Sequence, residues 1–113
     1  MDVSAIRAQV VEEVVLLSEP SRQLAYEQSL RNRAGLAHVE LREVYPSMFN
    51  LKSPAFVAAF TEAQLRELAH LYGLFMELRG SDFSSVGDML KDPTWRRIIH
   101  VSQELRQSLE HGA

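Results

Sequence analysis

The sequence predicts an all-α fold, a compact bundle of about five or six helices around a central hydrophobic helix. Segment 61–79 opens with the T-x-x-Q capping box of Thr61 and Gln64, in which each side chain satisfies a backbone N–H at a helix start. Segment 93–110 opens with Asp92 as N-cap and Pro93 in the first turn, where a missing N–H is tolerated. No two stretches alternate convincingly enough to pair as strands.

Length and composition indicate a single helical domain over residues 1–113. The chain is 46% hydrophobic and 24% charged, which is ordinary for a globular protein. A net charge of −3 argues against nucleic-acid binding, and the absence of cysteine excludes disulfides and thiolate metal sites. The N-terminus lacks a secretion signal and no apolar run is long enough to span a membrane, so we expect a cytoplasmic protein without a membrane partner.

The first two helices are predicted from capping residues and apolar spacing. Helix one runs from Asp2 or Ser4 to about Leu17. Its apolar face comprises Ile6, Val10, Val14 and Leu17. Its charged residues fall elsewhere, at Arg7, Glu12 and Glu13, where neighbouring carboxylates are expected to be solvated. A second helix runs from about Pro20 to Asn32, buried through Leu24, Ala25 and Leu30, with Gly35 suited to its C-terminus.

Residues 36–45 fit two patterns. Val39 and Leu41 alternate as in a strand. A second apolar set indicates a helix, because its members follow Ala37 by four, seven and eleven positions: Leu41, Val44 and Met48. Helix is preferred because no partner strand is evident. Pro46, Asn50 and Pro54 indicate an irregular stretch, followed by a short helix over 53–60. Aromatic residues crowd this middle region and are expected to wrap the helix 61–79.

The helix 61–79 is apolar on two faces. The main stripe comprises Leu65, Leu68, Ala69, Tyr72, Phe75 and Met76. A second stripe continues a line that begins at Glu67 and comprises Leu71, Leu74 and Leu78. This second stripe either packs beneath the first or last helix, or contacts a partner.

The C-terminal third combines short turns with one long helix. Residues 84–91 are predicted to form one or two short turns. The last helix has the buried stripe Trp95, Ile98, Ile99, Ser102, Leu105 and Leu109, and it ends at Gly112.

The residues that carry catalysis or bind metals form no complete motif. Glu67 and His70 have the E-x-x-H spacing of di-iron bundles, but such a centre needs the motif twice, and His70 is predicted to be exposed. No nucleophile elbow, phosphate loop or zinc-binding histidine pair is present. We therefore predict a non-enzyme with no catalytic residues, no cofactor and no metal, and keep a metal-binding helical bundle as a second alternative.

A helix-turn-helix transcriptional regulator is the first alternative. Gly35 could serve as the turn glycine, with Leu41 and Val44 at apolar positions. The recognition helix would, however, present Glu40 and Glu43 to a polyanion, which is unfavourable.

The remaining feature is a surface for protein binding. Large apolar groups supply affinity, and flanking carboxylates steer a basic partner. The candidate partner-binding residues are Glu40, Glu43, Tyr45, Glu67, Leu71, Leu74 and Leu78. A homodimer through the three leucines is a variant of this prediction.

Three stretches resemble a pattern found in small helical bacterial proteins, some of which are regarded as immunity proteins or antitoxins. The stretches are Glu40-Leu41 leading to Tyr45, the run F-x-x-x-F-T-x-x-Q-L-x-x-L over 56–68, and L-K-D-P-T-W over 90–95. The resemblance implies a binding module and no catalytic residue. We expect a non-catalytic protein-binding module, an immunity-like inhibitor of a basic toxin or enzyme.

Overall fold

The computed structural model describes residues 2–30 and 37–111, and within these ranges it contains α-helices and no strands. The helices are α1 (Val3–Ser18), α2 (Pro20–Ser29), α3 (Ala37–Met48), α4 (Pro54–Ala58), α5 (Glu62–Leu78), α6 (Val86–Met89) and α7 (Pro93–His111). The predicted all-α class is confirmed. The described part of the chain has seven helices because the short segments around 54–58 and 86–89 both form helical turns.

The bundle is organised around the last helix as well as the predicted central one. α7 packs on α1 along one side and on α5 along the other, whereas α3 packs on both α1 and α5. α2 lies across α1, α3 and α6. No helix in the described ranges is long and apolar enough to cross a lipid bilayer.

The predicted helix starts are confirmed. Asp2 Oδ1 accepts a hydrogen bond from the backbone N of Ala5 at 2.7 Å, and Asp92 Oδ2 accepts one from the backbone N of Trp95 at 3.0 Å. The capping box of α5 is formed in both directions: Thr61 Oγ1 lies 3.1 Å from Gln64 N, and Gln64 Oε1 lies 3.0 Å from Thr61 N. These bonds satisfy donors that a helix leaves free in its first turn.

Aromatic rings form a continuous layer between α3, α4, α5 and α7. The rings of Phe49 and Tyr72 stack with centroids 4.7 Å apart, and those of Tyr45 and Phe75 stack at 5.4 Å. Phe75 also meets Trp95 edge to face at 5.8 Å. Such pairs stabilise a core beyond the area they bury. The predicted aromatic wrapping of the helix 61–79 is confirmed.

The buried face of α1 includes a carboxylate, contrary to prediction. Val10, Val14 and Leu17 are buried as predicted, but Glu13 is only 7% exposed instead of lying on a solvated face. Glu13 is three residues after Val10 and four before Leu17, a spacing that places it on the same side of the helix.

The orientation of α2 differs from prediction because a polar side chain occupies its buried face. Leu24 is 39% exposed and Ala25 is also exposed, whereas Gln23 is completely buried. The Gln23 amide nitrogen donates to the carbonyl of Leu17 at 3.0 Å, and its Oε1 accepts from Trp95 Nε1 at 3.0 Å. α2 is described as far as its end at Ser29, with buried Leu30 as its C-cap. The predicted end at Asn32 and the role of Gly35 lie outside the described residues.

α3 is a helix, as preferred from its spacing, and it continues through Pro46 to Met48 where an irregular stretch was predicted. The proline ring fixes a φ angle that suits a helix and removes one donor, the N–H that would bond to the carbonyl of Arg42. The loss falls in the last turn of α3, which limits its cost. Val44, predicted to be apolar and packed, is 40% exposed.

Arg7 ties three parts of the bundle together. Its guanidinium donates to the carbonyl of Ala59 at 3.0 Å and to the carbonyl of Leu109 at 3.1 Å, and it lies over the ring of Phe60 at 5.6 Å. A side chain predicted to lie outside the apolar face of α1 therefore links α1 to the end of α4 and to the last turn of α7.

Candidate functional site

The second leucine stripe of α5 belongs to the core. Leu71, Leu74 and Leu78 are 0%, 1% and 2% exposed. They are more deeply buried than four residues of the predicted main stripe, which are half-buried: Leu65, Ala69, Tyr72 and Met76. Of the two interpretations of the stripe, packing within the bundle is therefore correct. Leu71 and Leu74 therefore offer almost no surface to a partner or to a second copy of the chain in the folded bundle.

Tyr45 is also a core residue. Its side chain is completely enclosed, and its hydroxyl donates to the carbonyl of Leu68 at 2.6 Å. Burial raises the pKa of the Tyr45 hydroxyl above its usual range, so the group stays a neutral donor. Tyr45 joins α3 to α5 and offers no surface to a partner.

The three predicted glutamates differ in exposure and in surroundings. Glu40 is half-buried, and its carboxylate accepts a hydrogen bond from the hydroxyl of Tyr26. Glu67 is half-buried on α5, whereas Glu43 is exposed on α3. Of these three glutamates, Glu43 alone lines a groove that runs along α3.

That groove lies between α3 and the C-terminal end of α5 and has a volume of about 770 Å³; we call it the α3–α5 groove. Its apolar lining comes from both helices and comprises Val39, Pro46, Tyr72, Phe75, Met76 and Leu78. Clefts that combine apolar walls with a few polar groups are the usual sites of recognition. Leu78, although almost fully buried, contributes to the floor, so two of the predicted residues, Glu43 and Leu78, meet here.

Charged residues of both signs line the α3–α5 groove. Glu43 lies on α3 and Asp82 on the loop after α5, and neither makes an ion pair within the described ranges. Arg42 donates to the carbonyls of His38 and Ser81, and its guanidinium lies 5.3 Å above the ring of Phe83. Arg42 is thus held by the protein itself, whereas Arg79 at the end of α5 is exposed.

Sequence reasoning missed most of this groove. Tyr72 and Met76 were assigned to a buried stripe, and Asp82 was not singled out. Because Tyr72 and Met76 are four residues apart, the sequence correctly placed them on the same face of α5. Their partial exposure depends on how far α3 extends along α5, which no local pattern encodes.

The residues considered for metal binding and for nucleic-acid binding differ in exposure. His70 is exposed, as predicted, and in ranges 2–30 and 37–111 no three His, Asp or Glu side chains lie close enough together to hold a metal ion. Ala37 and His38, at the start of the helix that a helix-turn-helix regulator would place on DNA, are buried. The proposed turn around Gly35 lies outside the described residues.

Comparisons with known proteins identified no relative of this chain. The chain matches no protein-family model, and neither curated proteins nor solved structures give a significant match.

Proposed function

We propose that this protein is a non-catalytic binding module whose α3–α5 groove receives a basic, amphipathic segment of a partner protein. The observation that carries the proposal is the combination in one groove of aromatic and aliphatic walls with two carboxylates, Glu43 and Asp82, that pair with no cation among the described residues.

The walls would supply most of the affinity. Tyr72 and Met76 are half-buried, so each retains apolar surface that a bound segment would cover. Aromatic and methionine side chains are enriched at protein interfaces, because an aromatic ring buries much surface for few rotatable bonds and the flexible, polarizable thioether of methionine adapts to the shape of a partner. An amphipathic helix would place its apolar side against these two residues and Pro46.

The carboxylates would supply orientation and selectivity. A Lys or Arg side chain at the rim would pair with Glu43 or Asp82, and complementary charge accelerates encounter and disfavours acidic partners. Arg42 makes no ion pair with these carboxylates, and two of its N–H groups donate to the carbonyls of His38 and Ser81. Arg42 and Arg79 both carry a positive charge that opposes a basic segment, and Arg79 is the exposed one of the two.

Inhibition of a basic toxin or enzyme is the biological role we propose for this binding. A helical module of this kind would act by covering a positively charged active surface, which needs no chemistry from the module itself.

The test is capture of partners on three immobilised proteins: the wild type, the double variant Glu43→Arg/Asp82→Arg and the matched control Glu62→Arg/Glu104→Arg. Both control sites are exposed and lie outside the groove. We expect a basic protein to bind the wild type and the control in a 1:1 complex and to bind the groove variant at least about tenfold more weakly. Equal binding to all three proteins would overturn the proposal.

Arg79→Glu provides a second, opposite measurement. Removing this exposed cation should tighten binding of the same partner, and more so at low salt. Unchanged or weaker binding would count against a basic occupant. Tight, salt-sensitive binding of the wild type to mixed-sequence DNA would favour the regulator alternative instead.

A further inference from the structure

A second cleft lies on the opposite flank of α3, between α3, α1 and α2. It has a volume of about 380 Å³ and is lined by Gln9, Glu12, Glu13, Leu16, Arg22, Val44 and Met48. It shares no lining residue with the α3–α5 groove. We call it the Glu13 cleft.

The Glu13 cleft contains a buried carboxylate that lacks a partner. Glu13 is 7% exposed, and its Oε2 accepts no hydrogen bond from any described residue. A buried ionised oxygen without a donor is costly, so such groups normally bind a cation or a hydrogen-bond donor. Oε2 itself has almost no solvent-accessible surface, so a donor from outside the protein reaches the Glu13 carboxylate only through the 7% of the residue that is exposed along the cleft.

The other charges around Glu13 leave it without a counter-ion. Glu12 is adjacent and adds negative charge. Arg22 of α2 also lines the cleft, but its guanidinium pairs with Glu19. α3 contributes only Val44 and Met48 to the lining, and neither is charged. Burial and the neighbouring Glu12 together raise the pKa of Glu13 to about 7.

The walls indicate which cation fits. Leu16, Val44 and Met48 are aliphatic or thioether side chains, and Val44 is 40% exposed at the cleft. Lysine has an unbranched aliphatic stem that packs on such surfaces while its ammonium group reaches a polar partner. A planar guanidinium would need two aligned acceptors, whereas an ammonium is satisfied as a point charge.

We propose that the Glu13 cleft is a binding site for a lysine side chain of a partner protein, with the ammonium group pairing with the Glu13 carboxylate at the cleft and the stem lying between Leu16, Val44 and Met48. The site does not depend on occupancy of the α3–α5 groove. Because α3 separates the two, a partner lying across α3 would reach both, and the two can be tested separately.

The probe is Nα-acetyl-lysine methylamide, titrated into ¹⁵N-labelled wild-type protein and followed by NMR. We expect saturable shifts of the backbone N–H signals of Glu13, Val44 and Met48. The Nε-acetylated form of the same probe has no charge and is the matched ligand control. Equal shifts with both probes would show that Glu13 recognises no ammonium group and would overturn the proposal.

Two variants complete the test. Glu13→Gln keeps the shape and removes the charge, and it should weaken the lysine probe about tenfold or more, whereas Glu12→Gln should change its affinity much less. Val44→Lys introduces an ammonium group at the cleft; it should block the probe and lower the Glu13 pKa, measured by ¹³C NMR of the side-chain carboxyl. Retained binding in Glu13→Gln would overturn the proposal, as would an unshifted Glu13 pKa in Val44→Lys.

Failure here is distinguishable from failure of the proposed function. The probe experiment uses no partner protein, and Glu43→Arg/Asp82→Arg should leave probe binding unchanged because neither residue lines the Glu13 cleft. Conversely, if the lysine probe does not bind, the groove variant should still lose binding of a partner that occupies the α3–α5 groove.

Discussion

At the residue scale, the buried polar side chains are the most informative part of this molecule. Gln23, Gln64 and Glu13 all lie in the interior, but they differ in how they are satisfied. Gln23 and Gln64 have hydrogen-bond partners on other helices, whereas the Oε2 of Glu13 has none among the described residues. The first two therefore fix helix positions, and Glu13 lowers stability when it ionises.

Glu13 should make the protein less stable as pH rises. Its pKa is raised from 4.5 to about 7 in the folded state, so the folded protein holds a proton that the unfolded chain has already released. Stability should fall between about pH 4.5 and pH 7, by up to about 3 kcal/mol at pH 8. Glu13→Gln should lose this pH dependence and exceed the wild type at pH 8 by about 1–3 kcal/mol in urea unfolding. Parallel stability curves for the two proteins would contradict the prediction.

Gln23 should be among the most sensitive positions in the chain. Gln23→Leu leaves Trp95 Nε1 without an acceptor and the Leu17 carbonyl without this donor, both in the interior. We expect a loss of about 2–4 kcal/mol in urea unfolding. The control is Gln28→Leu on the exposed side of the same helix, which should change stability by less than about 0.5 kcal/mol. A similar effect of the two substitutions would show that the network contributes little.

At the element scale, each helix start follows from local chemistry, whereas helix orientation depends on contacts between helices. The starts of α1, α4, α5 and α7 could be predicted because a capping side chain and the backbone N–H that donates to it lie within three residues of each other. The orientation of α2 could not, because the side chain that fixes it, Gln23, is bonded to Trp95, 72 residues away. The helical spacing of Val10, Glu13, Val14 and Leu17 is visible in the sequence. A carboxylate within such an apolar pattern is nevertheless normally expected to face solvent.

The capping box of α5 should contribute measurably to stability. Thr61→Ala removes the acceptor for the backbone N of Gln64, and we expect a loss of about 1 kcal/mol in thermal or urea unfolding. Ser4→Ala is the matched control, since Ser4 is exposed in the first turn of α1 and is not its cap. A Thr61→Ala protein as stable as the control would mean that packing alone fixes the start of α5.

The candidate site was predictable only in part, because the exposure of its residues depends on contacts between helices. Large apolar residues on α5 and carboxylates on α3 were identified correctly as features of the sequence. Tyr45 is enclosed and is no part of an exposed surface, and the leucine stripe, for which core and interface were both open, belongs to the core, with Leu78 bordering the α3–α5 groove. A stripe of leucines has the same spacing in a core and in an interface, so burial is decided by whether another helix of the bundle covers it.

At the scale of the whole molecule, Arg7 connects parts of the bundle that are far apart in the sequence. This side chain links α1, the end of α4 and the last turn of α7 through two carbonyl oxygens. Carbonyls at helix ends lack helical donors, so a guanidinium there satisfies groups that would otherwise need water.

Arg7→Met, which retains most of the apolar stem, should cost about 2–4 kcal/mol by removing charged hydrogen bonds. Hydrogen exchange should accelerate first in the last turn of α7. Arg66→Met provides the control, because Arg66 forms an exposed pair with Glu62 and should change stability by less than about 1 kcal/mol. Uniform acceleration across all helices would argue against a local role for Arg7.

The packing of α1 against α7 also has a consequence for how the protein is made. α1 is rich in β-branched valines, which favour helix weakly, and its apolar face is covered largely by α7, which is synthesised after α1–α6. Until α7 has been synthesised, Val10, Val14 and Leu17 lack this cover, and the nascent chain exposes a sticky segment that chaperones bind. Native folding of this bundle therefore waits for the synthesis of α7, and a stop codon before α7 should yield an aggregating fragment instead of a smaller stable domain.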